Sequence, residues 1–81
     1  SLENTQDNRV ALANELAEEF ARSYGEIQKR AEGVGPNVEL LEKEMEALTN
    51  KRYNAESILG VHIPCDQSMS DAEVSLLSIA E

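Results

Sequence analysis

Between Thr5 and Glu32 the apolar positions Val10, Ala13, Ala17, Phe20, Tyr24, Ile27 and Ala31 recur at spacings that alternate three and four. Such a seam keeps one face of an α-helix apolar, as in coiled coils, and it predicts a helix over about 5–32. Leu12, Leu16 and Ala21 widen the stripe, so this helix is expected to touch more than one neighbour. Asn4, Thr5 and Asp7 are the candidates to cap its start. On its outer face, Glu18 with Arg22, Arg22 with Glu26 and Glu26 with Arg30 offer opposite charges four residues apart.

Gly33-Val34-Gly35-Pro36-Asn37 interrupts the pattern. Gly33 suits a left-handed C-cap, Pro36 cannot continue a helix, and Asn37 is a good N-cap for the next one. The second segment, about 38–59, has the seam Val38, Leu41, Met45, Leu48, Arg52, Ala55 and Leu59, again alternating three and four. Two seams of similar length joined by a short turn predict an antiparallel two-helix hairpin of coiled-coil type. Folding about Pro36 sets Ala31 near Leu41, Ile27 near Met45, Tyr24 near Leu48 and Ala17 near Ala55. Arg52 breaks the seam at the level of Phe20. One reading has its stem packed on the seam while its guanidinium reaches out to Glu15, Glu19 or Glu56. The other makes it a polar seam residue that fixes register or partner.

Beyond Leu59 the pattern predicts a connector over 60–70. Ser70-Asp71-Ala72-Glu73 then reads as a capping box opening a third, short C-terminal helix over about 71–80. Val74, Leu76, Leu77 and Ile79 make that helix too apolar to stand in solvent. It is expected to dock across the open end of the hairpin, near Val10, Leu12 and Ile58. The fold class that results is all-α: one small domain spanning 1–81.

Composition sharpens this picture. The 81 residues carry 16 acidic against seven basic side chains, a formal charge of −9, and no tryptophan. An acidic surface of this size repels nucleic acid and anionic membranes, so neither is expected as a partner. A basic protein would be attracted. No apolar run approaches the length of a membrane span, and no signal-peptide pattern is present. A single cysteine cannot form an intramolecular disulfide, which points to a reducing, cytoplasmic setting. The start Ser1-Leu2, without methionine, fits an excised piece of a longer protein.

Candidate chemistry concentrates in Gly60-Val61-His62-Ile63-Pro64-Cys65-Asp66, which holds the only histidine and the only cysteine. A structural zinc site needs four ligands, usually in two pairs, and one pair is present here. A nucleophilic cysteine needs a base and an electropositive setting, and Asp66 works against that. The segment therefore reads as a connector, with Val61 and Ile63 turned in and His62 turned out. Gly33-Val34-Gly35 lacks the lysine and hydroxyl of a phosphate loop. The glutamates 39, 42, 44 and 46 read as a solvated face. No metal, cofactor or catalytic residue is assigned.

These readings point to a non-enzymatic protein–protein interaction module, an acidic hairpin that self-associates into a homodimeric helical bundle. The alternative is a small adaptor or chaperone that binds a helical or basic segment of a client. The residues that would carry either role are Leu12, Leu16, Phe20, Arg52, Ile58, Leu76 and Leu77.

Overall fold

The computed structural model describes residues 6–80. Within them the chain forms three helices: α1 (Gln6–Ala31), α2 (Val38–Leu59) and α3 (Asp66–Ala80). Asn4 and Thr5, two of the expected caps, lie outside the described residues. Asp7 falls in the first turn of α1, where its charge complements the helix dipole.

The α1 seam is buried from Ala13 to Ala31, while Val10 at its start is exposed. Ala13, Ala17, Phe20, Tyr24, Ile27 and Ala31 are all core residues. On α2, Leu41, Met45 and Arg52 are buried, and Leu48, Ala55 and Leu59 pack against the core at half exposure. Three hydrogen bonds cross between α1 and α2 among the described residues. Arg30 donates from both terminal nitrogens to the Glu44 carboxylate, at 2.7 Å each, and the Tyr24 and Thr49 hydroxyls meet at 2.9 Å. The partner number rises on α2 as it falls on α1, and Tyr24 meets the residue next to the expected Leu48. Arg30 thus spends its charge on the neighbouring helix. None of the three expected pairs along α1 closes to an ion pair among the described residues.

The turn differs from expectation in one detail. Gly35, not Gly33, takes the left-handed conformation, with φ of 60°. α1 instead ends on a tightened bond from the Gly33 N–H to the Arg30 carbonyl, 3.2 Å. Asn37 caps α2 as its chemistry suggests: its side chain accepts from the Leu40 N–H at 3.1 Å. The left-handed C-cap of α2 is Gly60, φ 74°, whose N–H returns to the Glu56 carbonyl.

α3 is where the structure departs most from the sequence reading. It begins at Asp66, so the connector is only 60–65, and Ser70 lies inside the helix instead of capping it. The Cys65 carbonyl accepts the first helical bond, from the Met69 N–H. Gln67 and Asp71 join across one turn at 2.8 Å, which carries the polar Gln67-Ser68 stretch as helix. Nor does α3 dock near Val10, Leu12 and Ile58, which remain exposed. Its first residue bonds Arg52, and its Ser75 hydroxyl donates to Glu32 at the far end of α1, 2.8 Å. α3 therefore runs along the half of the α1–α2 pair nearest the turn, and Ala72, Ser75 and Leu76 are buried there.

The connector makes this reversal possible. Ile63 and Cys65 point inward and are buried, while His62 and Pro64 face out. The Cys65 N–H donates back to the Ile63 carbonyl across Pro64, a three-residue turn. Ile63 is fully buried, so truncation should leave a void that so small a core fills poorly. Ile63→Val is expected to lower unfolding free energy by about 1 kcal/mol, and Ile63→Ala by about 3 kcal/mol. Urea titrations followed by circular dichroism measure both.

Candidate functional site

Two features stand out from the packed helices: a polar cluster around Arg52, and an apolar face on the side away from α3.

Arg52 is 1% exposed. Its stem fills the seam, but its guanidinium does not reach Glu15, Glu19 or Glu56. It turns inward to α3 and the connector. Nη1 donates to Cys65 Sγ at 3.3 Å and to Asp66 Oδ1 at 3.2 Å, and Nη2 donates to Met69 Sδ at 3.4 Å. The Tyr53 ring lies 5.1 Å from the guanidinium carbon and adds a cation–π contact. Nε has no partner, and among the described residues it is the one buried side-chain nitrogen or oxygen left so. Two sulfurs are soft, weak acceptors, so Asp66 carries most of the electrostatic compensation.

Asp66 is shared. Its other oxygen, Oδ2, lies 2.6 Å from His62 Nε2, and His62 Nδ1 lies 2.6 Å from Glu56 Oε2. That same Glu56 oxygen accepts the Ile63 N–H at 2.8 Å. An imidazole can donate from both nitrogens only when protonated. The hydrogen bond to Asp66 first, with the charges of Asp66 and Glu56 behind it, raises the His62 pKa above its ordinary value. Conversely, the bond from His62, with Arg52 adding to it, holds the Asp66 carboxyl below its usual range. The chain Glu56–His62–Asp66–Arg52 thus ties the end of α2, the connector and the start of α3 into one clasp.

Both titratable candidates are engaged in the clasp. Both His62 nitrogens face carboxylates, and Cys65 is buried beneath Arg52. Among the described residues no group of three or more His, Cys, Asp and Glu side chains is arranged to hold a metal ion. Elsewhere, burial pushes the Tyr24 phenol above its ordinary pKa, and Arg30 lowers that of Glu44.

The apolar face is built by helical spacing. A shallow groove between α1 and α2 is lined by Ser23, Glu26, Ile27 and Arg30 on one side and by Glu44, Ala47, Leu48 and Lys51 on the other, with charged residues along its rim. The α2 residues that meet α3 belong to a different flank: Met45, Thr49 and their neighbours. Steps of seven and eleven residues return to the same face of a helix. Leu16 and Leu12 therefore continue the groove along α1 beyond Ser23. Ala55, Ile58 and Leu59 continue it along α2 beyond Leu48 and Lys51. The result is an apolar strip at the end of the pair that α3 leaves uncovered. Leu12 is 44% exposed and Ile58 85%.

Of the seven residues expected to carry an interaction, the structure brings Leu12, Leu16 and Ile58 to this strip, Leu16 at half exposure. Phe20, Arg52 and Leu76 are buried within the chain itself. Leu77 is 63% exposed but belongs to α3 and borders the groove on the other flank of α2. Met69 escaped the sequence reading, and Glu56, expected there as a partner of Arg52, instead meets His62 and the Ile63 N–H. The one signal for Met69 was the need to answer a cation in an apolar seam. The chain matches no family model, no curated protein and no solved structure.

The clasp has a pH signature. A histidine whose folded pKa lies above its unfolded value of about 6.5 contributes stability below that pH and loses it as pH rises through the folded pKa. Unfolding free energy is therefore expected to fall between about pH 6 and pH 8, and His62→Gln should flatten the slope over that window. Parallel urea titrations of the two proteins at each pH test this.

Proposed function

We propose that this chain is a non-enzymatic protein–protein interaction module. Its α1–α2 pair, read as an antiparallel hairpin, self-associates through the strip of Leu12, Leu16, Ala55, Ile58 and Leu59. The observation that carries the proposal is the exposure of Leu12 and Ile58 on one continuous apolar face while α3 covers the other half of the pair. A two-fold axis near the strip would lay Leu12 and Leu16 of one copy on Ile58 of the other and complete a four-helix core. A chain of this size has a small core, and it gains proportionally from burying such a face.

The non-enzymatic reading rests on the engagement of His62 and Cys65 in the clasp, where each stabilises the connector. A lone buried thiol supports a reducing, cytoplasmic setting. Among the described residues no helix is long and apolar enough to cross a membrane, and the charge of −9 disfavours both lipid and nucleic-acid surfaces. A second reading, an adaptor for a client segment, is favoured by the acid-rimmed groove between α2 and α3.

Sedimentation equilibrium tests the self-association. The wild-type chain is expected to form a dimer that strengthens with added salt or mild acid, because both relieve repulsion between acidic surfaces. Ile58→Glu changes an exposed position, so it should leave the helices intact and give a monomer, as should Leu16→Glu if it folds. A wild-type monomer at every concentration would rule the strip out as a dimer interface.

A further inference from the structure

A groove of about 400 Å³ runs between α2 and α3. Met45 and Leu76, both buried, form its floor, and Leu77 forms an exposed apolar edge. Val74, also exposed, extends that edge one turn back along α3. Glu42 and Glu46 rim the groove from α2, and Glu73 rims it from α3; no Lys or Arg lines it.

Like Glu15, Glu18 and Glu19 on α1, these three glutamates form no ion pair among the described residues, but they rim the groove and the α1 three do not. Glu39, Glu44 and Glu56 are paired, with Lys43, Arg30 and His62 respectively. Glu42, Glu46 and Glu73 have no ion pair or side-chain hydrogen bond among the described residues. Glu42 and Glu46, four apart on one helix, repel each other, and Glu73 brings a third negative charge to the same groove. Unpaired acid around an apolar floor is complementary to a cation-flanked apolar anchor. A second copy of this chain fits poorly: it carries the same net negative charge, and its Arg30, Lys43 and Arg52 are already engaged. From Glu42 to Asn50 the groove covers about 12 Å of helix, roughly two turns.

We propose that the α2/α3 groove binds a basic amphipathic helical segment of another protein. One apolar side chain of that segment seats on Met45, Leu76 and Leu77, and flanking Lys or Arg side chains pair with Glu42, Glu46 and Glu73. The proposal rests on the adaptor reading and is separate from the self-association strip, which lies on the other flank of α2.

The probe is a short fluorescent amphipathic peptide with leucines at helical spacing flanked by lysines, and its counterpart with every lysine replaced by glutamate. Anisotropy titrations should show the lysine peptide binding and the glutamate peptide not. The triple variant Glu42→Gln, Glu46→Gln and Glu73→Gln should weaken binding about tenfold or more. The control triple Glu15→Gln, Glu18→Gln and Glu19→Gln should change it less than about threefold, as expected for charges whose interaction is largely screened. Methyl NMR shifts on the wild-type protein should map to Met45, Leu76 and Leu77, a readout that needs no variant to fold. Equal weakening by the two triples would overturn the proposal in favour of diffuse charge attraction. Shifts centred on Leu12, Leu16 and Ile58 would overturn the groove while leaving an adaptor role standing. Absence of binding by the lysine peptide would overturn both.

Discussion

The guanidinium of Arg52 is buried in a seam that every neighbouring position fills with carbon, and a charge left alone there would cost several kcal/mol. Its compensation comes from Asp66, Cys65 and Met69. All three belong to the connector end or to the first turns of α3, so answering the charge also decides where α3 begins and along which part of the α1–α2 pair it runs. Ile63 and Cys65 follow the same constraint. The connector has to press back onto α2 for Asp66 to reach Arg52, and that pressure buries both residues. His62 then braces Asp66 from the solvent side while Glu56 braces His62 and the Ile63 backbone.

The placement of α3 in turn makes the two flanks of α2 unequal. On one flank, α3 closes against Met45 and Thr49 and leaves an acid-rimmed groove. On the other, α3 does not cover the face that runs from Leu48 and Lys51 to Ile58, and Ile58 is exposed. Had α3 docked at the far end of the α1–α2 pair, Leu12 and Ile58 would have been its natural floor. Because Arg52 draws it toward the turn, they remain exposed instead. The self-association proposed for that strip is thus a consequence of one polar residue in the seam.

The sequence made the first two helices legible because two signals agreed there. An alternation of three and four marked the seams, and Asn37 after Pro36 marked a start that the structure reproduces at Val38. The Tyr24–Thr49 hydroxyl contact lies one residue from the expected meeting of Tyr24 with Leu48. The third helix was misplaced because Ser70 and Glu73 mimic a capping box, while Asp66-Gln67-Ser68 shows no apolar period. Those residues are helical through tertiary contacts, chiefly Asp66 with Arg52 and His62, and local pattern cannot report such contacts. The anomaly at Arg52 was visible, but its partner was not. Several glutamates lay nearer in helical register than Asp66, which approaches only because the chain reverses at Pro64. Leu12, Leu16 and Ile58 were legible as excess apolar surface. That they share one uncovered face depended on α3 lying elsewhere.

The most direct test of this account is a double-mutant cycle between Arg52→Met and Asp66→Ala, with stability measured by urea denaturation. If the pair is what holds α3 in place, Asp66→Ala alone should be strongly destabilising because it strands a buried cation. Adding Arg52→Met should then recover much of the loss, giving a coupling energy of at least about 1 kcal/mol. Strictly additive effects, within about 0.5 kcal/mol, would show that Arg52 and Asp66 do not act together, and the position of α3 would need another cause.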